Sequence, residues 1–122
     1  MLPLDVAAPW IEHALDLSSR RGSLIRANLA NVDTPDYVPT DLDFEEALRA
    51  ELRHRAHFGP MPGEPMSHKD ESVQPSLDGN RVDLDREMTR AMANRMFFEL
   101  GTEVISRKFN MMRYAIDEGG RT

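Results

Sequence analysis

From Asp83 to Asp117 the chain holds no proline and a single glycine. That stretch allows a helix of about 50 Å at ~1.5 Å per residue. One apolar column along it reads Leu84, Met88, Ala91, Arg95, Phe98, Thr102, Ile105, Phe109, Met112, Ile116. A flanking column reads Phe97, Gly101, Val104, Lys108, Met111, Ala115. The combined face is wider than a two-stranded coiled-coil seam, so the helix has more than one neighbour to satisfy. Gly119-Gly120 is placed to end it.

The other end of the chain predicts a second helix, from about Pro9 to Asn31. Pro9 suits a first turn, where its missing N–H leaves nothing unsatisfied. Two columns alternate steps of four and three: Trp10, Ala14, Leu17, Arg21, Leu24, Asn28, Asn31, and beside them Ile11, Leu15, Ser18, Gly22, Ile25, Leu29, Val32. Ser18 to Ser23 interrupts both with small and charged residues, so this helix is marginal alone. Between the two, Asp43 and Glu46 have the spacing of a capping box and open a short helix to about Ala56. His57 to Asn80 carries four prolines and three glycines, which predicts a loop or disordered segment. Asp78-Gly79-Asn80 marks a turn just before the long helix.

The fold class is therefore mainly α, a single unit of 122 residues in three parts. Residues 1–37 form the first helix and a turn, 38–80 a short helix with a flexible Pro/Gly-rich loop, and 81–122 the last helix. Net charge divides as −2, −5 and +1 over those parts, so the ends can meet copies of themselves without strong repulsion. No basic stripe suggests nucleic acid or an anionic membrane. No apolar run reaches the ~18 to 20 residues that span a bilayer, and Met1-Leu2-Pro3-Leu4-Asp5 does not resemble a cleaved secretory signal. The absence of cysteine excludes disulfides, thiolate metal sites and cysteine nucleophiles. His54, His57 and His68 with Glu64 have no metal-ligand spacing, and pairs such as Asp83 and Asp85 lack a pocket to separate their pKa values. Neither a catalytic residue, a cofactor site nor a metal site is expected, and the chain is not read as an enzyme.

Two long helices with wide apolar faces have little in the middle to pack on. The columns are accordingly read as surfaces for a subunit interface rather than as ordinary core. The candidates are Leu17, Leu24, Met88, Phe98, Ile105, Phe109, Met112 and Ile116. This layout points to a component of a coiled-coil or helical-bundle assembly, with a soluble helical adaptor for partner helices as the alternative.

Residues 27–37 read Ala-Asn-Leu-Ala-Asn-Val-Asp-Thr-Pro-Asp-Tyr. Asn28 and Asn31 lie three apart on one helical face, where their amides can reach backbone. Pro35 stops the helix and biases Thr34 to an extended conformation. The segment resembles the Ala-Asn-x-Ala-Asn-x-x-Thr-Pro-Gly-Tyr signature of bacterial flagellar rod and hook proteins, carried here by Asn28, Asn31, Thr34, Pro35 and Tyr37. The family usually has glycine where this chain has Asp36, and a type I turn would accept the aspartate. Asp41-Leu42-Asp43-Phe44-Glu45-Glu46-Ala47-Leu48, Gly79-Asn80-Arg81-Val82-Asp83-Leu84-Asp85-Arg86-Glu87-Met88 and Ser106–Ile116 resemble, in order, further segments of the most cell-proximal branch of the flagellar basal-body rod protein family.

The resemblance implies a structural subunit of the periplasm-spanning rod, transmitting torque from the membrane ring to the distal rod and hook and needed for motility. Implied partners are further copies of the chain, rod proteins of the FlgC type, the rod adaptor FliE and the membrane ring, with no nucleic acid and no small-molecule substrate. It also implies passage through the flagellar type III export apparatus without a cleaved signal. Phe44 and Leu48 fit the Phe-x-x-x-hydrophobic pattern that resembles an export motif of early flagellar subunits, and Met1–Leu4 is a second candidate export segment.

Overall fold

Two aspartates set the starts of two helices. Asp43 has extended backbone and its carboxylate accepts the Glu46 N–H, opening α2, Phe44–Phe58. Asp83 does the same for Arg86 and opens α3, Leu84–Gly119. Each satisfies one of the orphan donors of a first turn. The computed structural model describes residues 3–59 and 66–121, with side chains from Pro9 onward. Its remaining elements are α1, Pro3–Ala30, and two three-residue strands, β1 Thr40–Leu42 and β2 Ser67–Lys69. The chain is mainly α, as expected.

Two expectations are corrected. The first helix starts at Pro3, so Pro9 lies in its second turn, where it removes one backbone hydrogen bond without ending the helix. The segment from His57 to Asn80 is not without structure. Ser67–Lys69 pairs antiparallel with Thr40–Leu42, with Thr40 opposite Lys69 and Leu42 opposite Ser67. The Asp70 N–H continues the pairing to the Pro39 carbonyl at 2.7 Å. Glu64 of the dismissed metal cluster and the Met1–Leu4 segment lie outside the described residues or side chains.

α1 and α3 run antiparallel. Asn28 meets Glu87, Ser18 meets Asn94, and Leu15 lies over Gly101. A Cβ on Gly101 would come within 2.6 Å of Leu15 Cδ2, so the tip of Leu15 occupies the space that a side chain there would take. α2 and the two-stranded ladder close over one side of the pair. Ala14, Leu17, Leu42 and Leu48 form the core, with Leu24, Phe44, Ala47, Leu52 and Phe97 packed around them. The Phe44 and Phe97 rings meet edge to face, 5.2 Å between centroids at 74°. His13 Nδ1 meets Glu51 Oε1 at 3.1 Å and ties α1 to α2. Among the described residues no helix is long and apolar enough to cross a membrane.

Candidate functional site

The five signature residues converge where α1 ends and α3 begins. Asn28 is buried in the last turns of α1. Its Nδ2 donates to the Thr40 carbonyl at 2.9 Å and to Glu87 Oε2 at 3.2 Å. Its Oδ1 accepts the Thr40 N–H at 2.9 Å and the Tyr37 hydroxyl at 3.1 Å. All four hydrogen-bonding positions of the amide are filled. The side chain thereby pairs with Thr40 as a neighbouring strand would, and it anchors β1 to α1.

Asn31 governs the chain's exit from the helix. Its Nδ2 donates back to the Ala27 carbonyl at 2.7 Å, and its Oδ1 accepts the Thr34 hydroxyl at 3.0 Å. Pro35 and Asp36 complete a turn closed by the Tyr37 N–H on the Thr34 carbonyl. The sequence leaves the conformation of Asp36 open. Asp36 does not adopt the type I conformation but sits at φ 60, the left-handed region that glycine enters freely. Asp and Asn tolerate that region better than other side chains. The geometry suited to the family's glycine is thus kept with an aspartate in place.

A residue from the other end of the middle segment locks this turn. Asn80 Nδ2 donates to the Asn31 carbonyl at 2.9 Å and the Thr34 carbonyl at 2.6 Å, while its Oδ1 accepts the Val82 N–H. The Asp36 N–H donates to the Asp78 carbonyl and the Arg81 N–H to the Tyr37 carbonyl, each at 3.0 Å. Gly79, at φ 81, leaves room for the Asp36 side chain, whose Oδ1 would lie 2.1 Å from a Cβ there. The sequence marked Asp78-Gly79-Asn80 as a turn. Its partnership with the signature is what the fold adds.

A charge network with no spacing signal in the sequence joins α1, β1 and α3. Arg21 donates twice to Asp41, at 2.9 and 3.0 Å. Arg90 bridges Asp70 at 2.9 Å and Glu87 at 3.0 Å, with Asp41 at 3.7 Å. Arg86 adds a second cation to Asp70 at 3.2 Å. Burial alone would raise the Asp41 pKa. The Arg21 and Leu42 N–H donors, with the charges of Arg21 and Arg90, outweigh it and hold the carboxyl below its usual range. Asp70 is held well below that range, chiefly by the Ser72 hydroxyl and then by Arg90, the Ser72 N–H and Arg86. Every one of these carboxylates is occupied by cations and N–H or O–H donors, so the cluster is a joint between α1, the two-stranded ladder and α3.

The residues expected at a subunit interface divide into two groups. Leu17 is corrected: it is buried in the chain's own core, because α2 and β1 cover that side of α1. Leu24 packs at the edge of the same core. Met88, Phe98, Phe109, Met112 and Ile116 are exposed, and Ile105 is half-buried. Phe44 and Leu48, read as an export pair, pack against the chain's own core; Leu48 is buried and Phe44 is covered by Phe97.

No family model matches the chain. Curated relatives do. The Flagellar basal body rod protein FlgB of Salmonella typhimurium is 32% identical over 133 aligned positions, covering 95% of this chain and 96% of that protein. The protein of the same name from Cereibacter sphaeroides is 33% identical over 113 positions, covering 84% and 88%. That of Escherichia coli is 28% identical, again over 95% of this chain. The likeness runs through both helices, the signature turn and the segment that locks it, and the chain belongs to the FlgB family of flagellar basal-body rod proteins.

Proposed function

We propose that this chain, a structural subunit of the flagellar basal-body rod, builds the cell-proximal part of that rod and carries torque from the membrane ring toward the distal rod and hook. In this reading it packs against copies of itself, rod proteins of the FlgC type, the adaptor FliE and the membrane ring. It reaches its place through the type III export apparatus without a cleaved signal, and motility depends on it.

One observation supports the reading above the others. On α3, Glu87, Asn94 and Gly101 face α1, and an apolar column beside them is left uncovered. Phe98, Ile105, Phe109, Met112 and Ile116 follow one another at steps of seven, four, three and four, and Phe109 is 62% and Ile116 70% exposed. That column is an open seam, and burying large apolar side chains there is worth ~1.5 to 3 kcal/mol each. Neighbouring helices in a rod would complete it. Phe109→Asp with Ile116→Asp puts two charges on that open seam. The expected result is a soluble subunit with wild-type melting behaviour that is missing from purified basal bodies, in non-motile cells. Basal bodies carrying the variant at wild-type level, or motile cells, would remove this seam from the rod.

A further inference from the structure

All the sulfur in this chain is thioether. Its 122 residues include no cysteine and eight methionines. Met1 and Met61 lie outside the described residues, and the others are all in the open, Met112 least so at 48%. The core of Ala14, Leu17, Leu42 and Leu48, with the side chains packed on it, contains no methionine. That placement changes what oxidation can do. A methionine sulfoxide is polar where the thioether was apolar, and in a core it disrupts packing. At exposed positions it leaves the subunit's own packing alone, so the fold survives and only the surface changes.

Met112 is the methionine whose change of polarity has the most to act on. It stands three residues after Phe109 and four before Ile116, so the three side chains share one face of α3. That face is the open seam. Phe109 and Ile116 are hydrocarbon and inert to a peroxide, whereas the thioether between them is not. Met111 is the preceding residue, but one residue turns about 100° round a helix, which takes it off the seam. Among the seam residues Phe98, Ile105, Phe109, Met112 and Ile116, only Met112 can have its polarity changed and changed back.

We propose that Met112 is a redox switch on assembly. In the free subunit its sulfur attacks one oxygen of hydrogen peroxide. The O–O bond breaks, an S–O bond forms and the second oxygen leaves as water, so the sulfur is oxidised by two electrons and the peroxide reduced. The sulfoxide oxygen then needs a hydrogen-bond donor that an apolar seam does not offer, and burying it is unfavourable. A methionine sulfoxide reductase with a thiol reductant removes the oxygen as water and leaves the thiols as a disulfide. The inference rests on the rod reading, because it needs the seam to be buried in the assembly.

The free subunit is treated with hydrogen peroxide, its sulfoxides are located by peptide mass, and its melting is compared with that of untreated protein. Oxygen is expected on Met112 with the melting midpoint unchanged. In cells, Met112→Gln puts a permanent uncharged polar group on the seam and is expected to lower incorporation into basal bodies about tenfold. Cells making Met112→Leu, which has no thioether there, and cells making the wild-type chain then regrow flagella with and without a brief peroxide exposure. Each strain is compared with itself untreated. Incorporation of the wild-type chain is expected to fall and to return once the peroxide is gone, and that of Met112→Leu to fall much less. A peroxide-treated subunit that melts well below the untreated one would overturn the inference, as would Met112→Gln in basal bodies at the wild-type level or equal losses under peroxide in the two strains. The rod reading fails separately. If Phe109→Asp with Ile116→Asp is absent from basal bodies while Met112→Gln is present, the seam stands and the switch does not. If both are present at the wild-type level, the seam falls and the switch with it.

Discussion

Asn28 and Glu87 stand 59 residues apart in the sequence and meet at 3.2 Å in the interior, amide donor to carboxylate acceptor. Arg90 holds the other carboxylate oxygen. Through this contact the end of the first helix and the start of the last are fixed to each other and to β1, because the same amide holds both backbone groups of Thr40.

Asn28→Ala removes the amide and strands four groups at once: a buried carboxylate oxygen, the two backbone groups of Thr40 and the Tyr37 hydroxyl. Lost partners at a buried charge and at backbone groups set the cost at about 3 to 5 kcal/mol. Glu87→Gln keeps an acceptor for Asn28, and Arg90 keeps Asp70, so it is expected to cost less, about 1 to 2 kcal/mol. Urea titrations check the order: both midpoints fall with unchanged slope, Asn28→Ala further.

Asp36 offers a test of backbone strain. Asp36→Gly removes a left-handed penalty of about 1 to 2 kcal/mol but gives the unfolded chain freedom worth about 0.4 to 1 kcal/mol. The net is near zero or slightly stabilising. Asp36→Val has the same positive φ to satisfy with a β-branched side chain, and about 2 kcal/mol of loss is expected. Equal midpoints for the two variants in thermal melts would show that this turn does not hold its conformation in solution.

The helices were legible because their signals are local. Asp43 and Asp83 cap where a capping residue should, and the heptad columns continue through both long elements. The pairing of β1 with β2 was not legible. Ser67, His68 and Lys69 are all exposed and show no alternation, so only backbone pairing to Thr40–Leu42 defines the strand. The burial of Leu17 against α2 is hidden for a related reason. The middle segment reads as poor in apolar residues, yet Leu42, Leu48 and Leu52 with Phe44 cover the helix. The charge network was invisible because arginine and aspartate on a helix usually read as a solvated face. The one hint was Arg21 standing inside an apolar column, opposite nothing local that could pair with it.

Acid should act on stability through this joint. Asp41 and Asp70 have pKa values depressed in the folded state. Depressed carboxyls bind protons more readily when unfolded, so their contribution is complete above the unfolded value of about 3.9 and is lost as pH falls through the folded ones. Stability is expected to be level from about pH 7 to pH 5 and to fall below about pH 4. Asp70→Asn should lower stability at pH 7 and flatten the acid limb, because the titrating group is gone while Ser72 and Arg90 keep an oxygen to donate to. A limb of unchanged steepness in that variant would assign the acid transition to other carboxylates.

Gly101 tests whether α1 and α3 pair within one subunit. Its missing Cβ is what accommodates Leu15, and the neighbouring Ser18–Asn94 bonds, at 2.9 Å in each direction, need the same close approach. Gly101→Ala gains about 1 kcal/mol of helix propensity and asks only the tip of Leu15 to rotate, so it should be close to neutral. Gly101→Leu cannot be absorbed that way. It wedges the helices apart and is expected to cost about 1 to 3 kcal/mol by overpacking. Leu15→Ala in the same chain makes room, so the double variant should recover part of the loss, a coupling read from a double-mutant cycle. The decisive feature is where the effect appears. If the pair forms inside the subunit, the loss and its rescue are seen in melts of the dilute, unassembled protein. If Gly101→Leu leaves those melts unchanged and impairs only incorporation into basal bodies, Leu15 meets Gly101 of a neighbouring subunit and not its own.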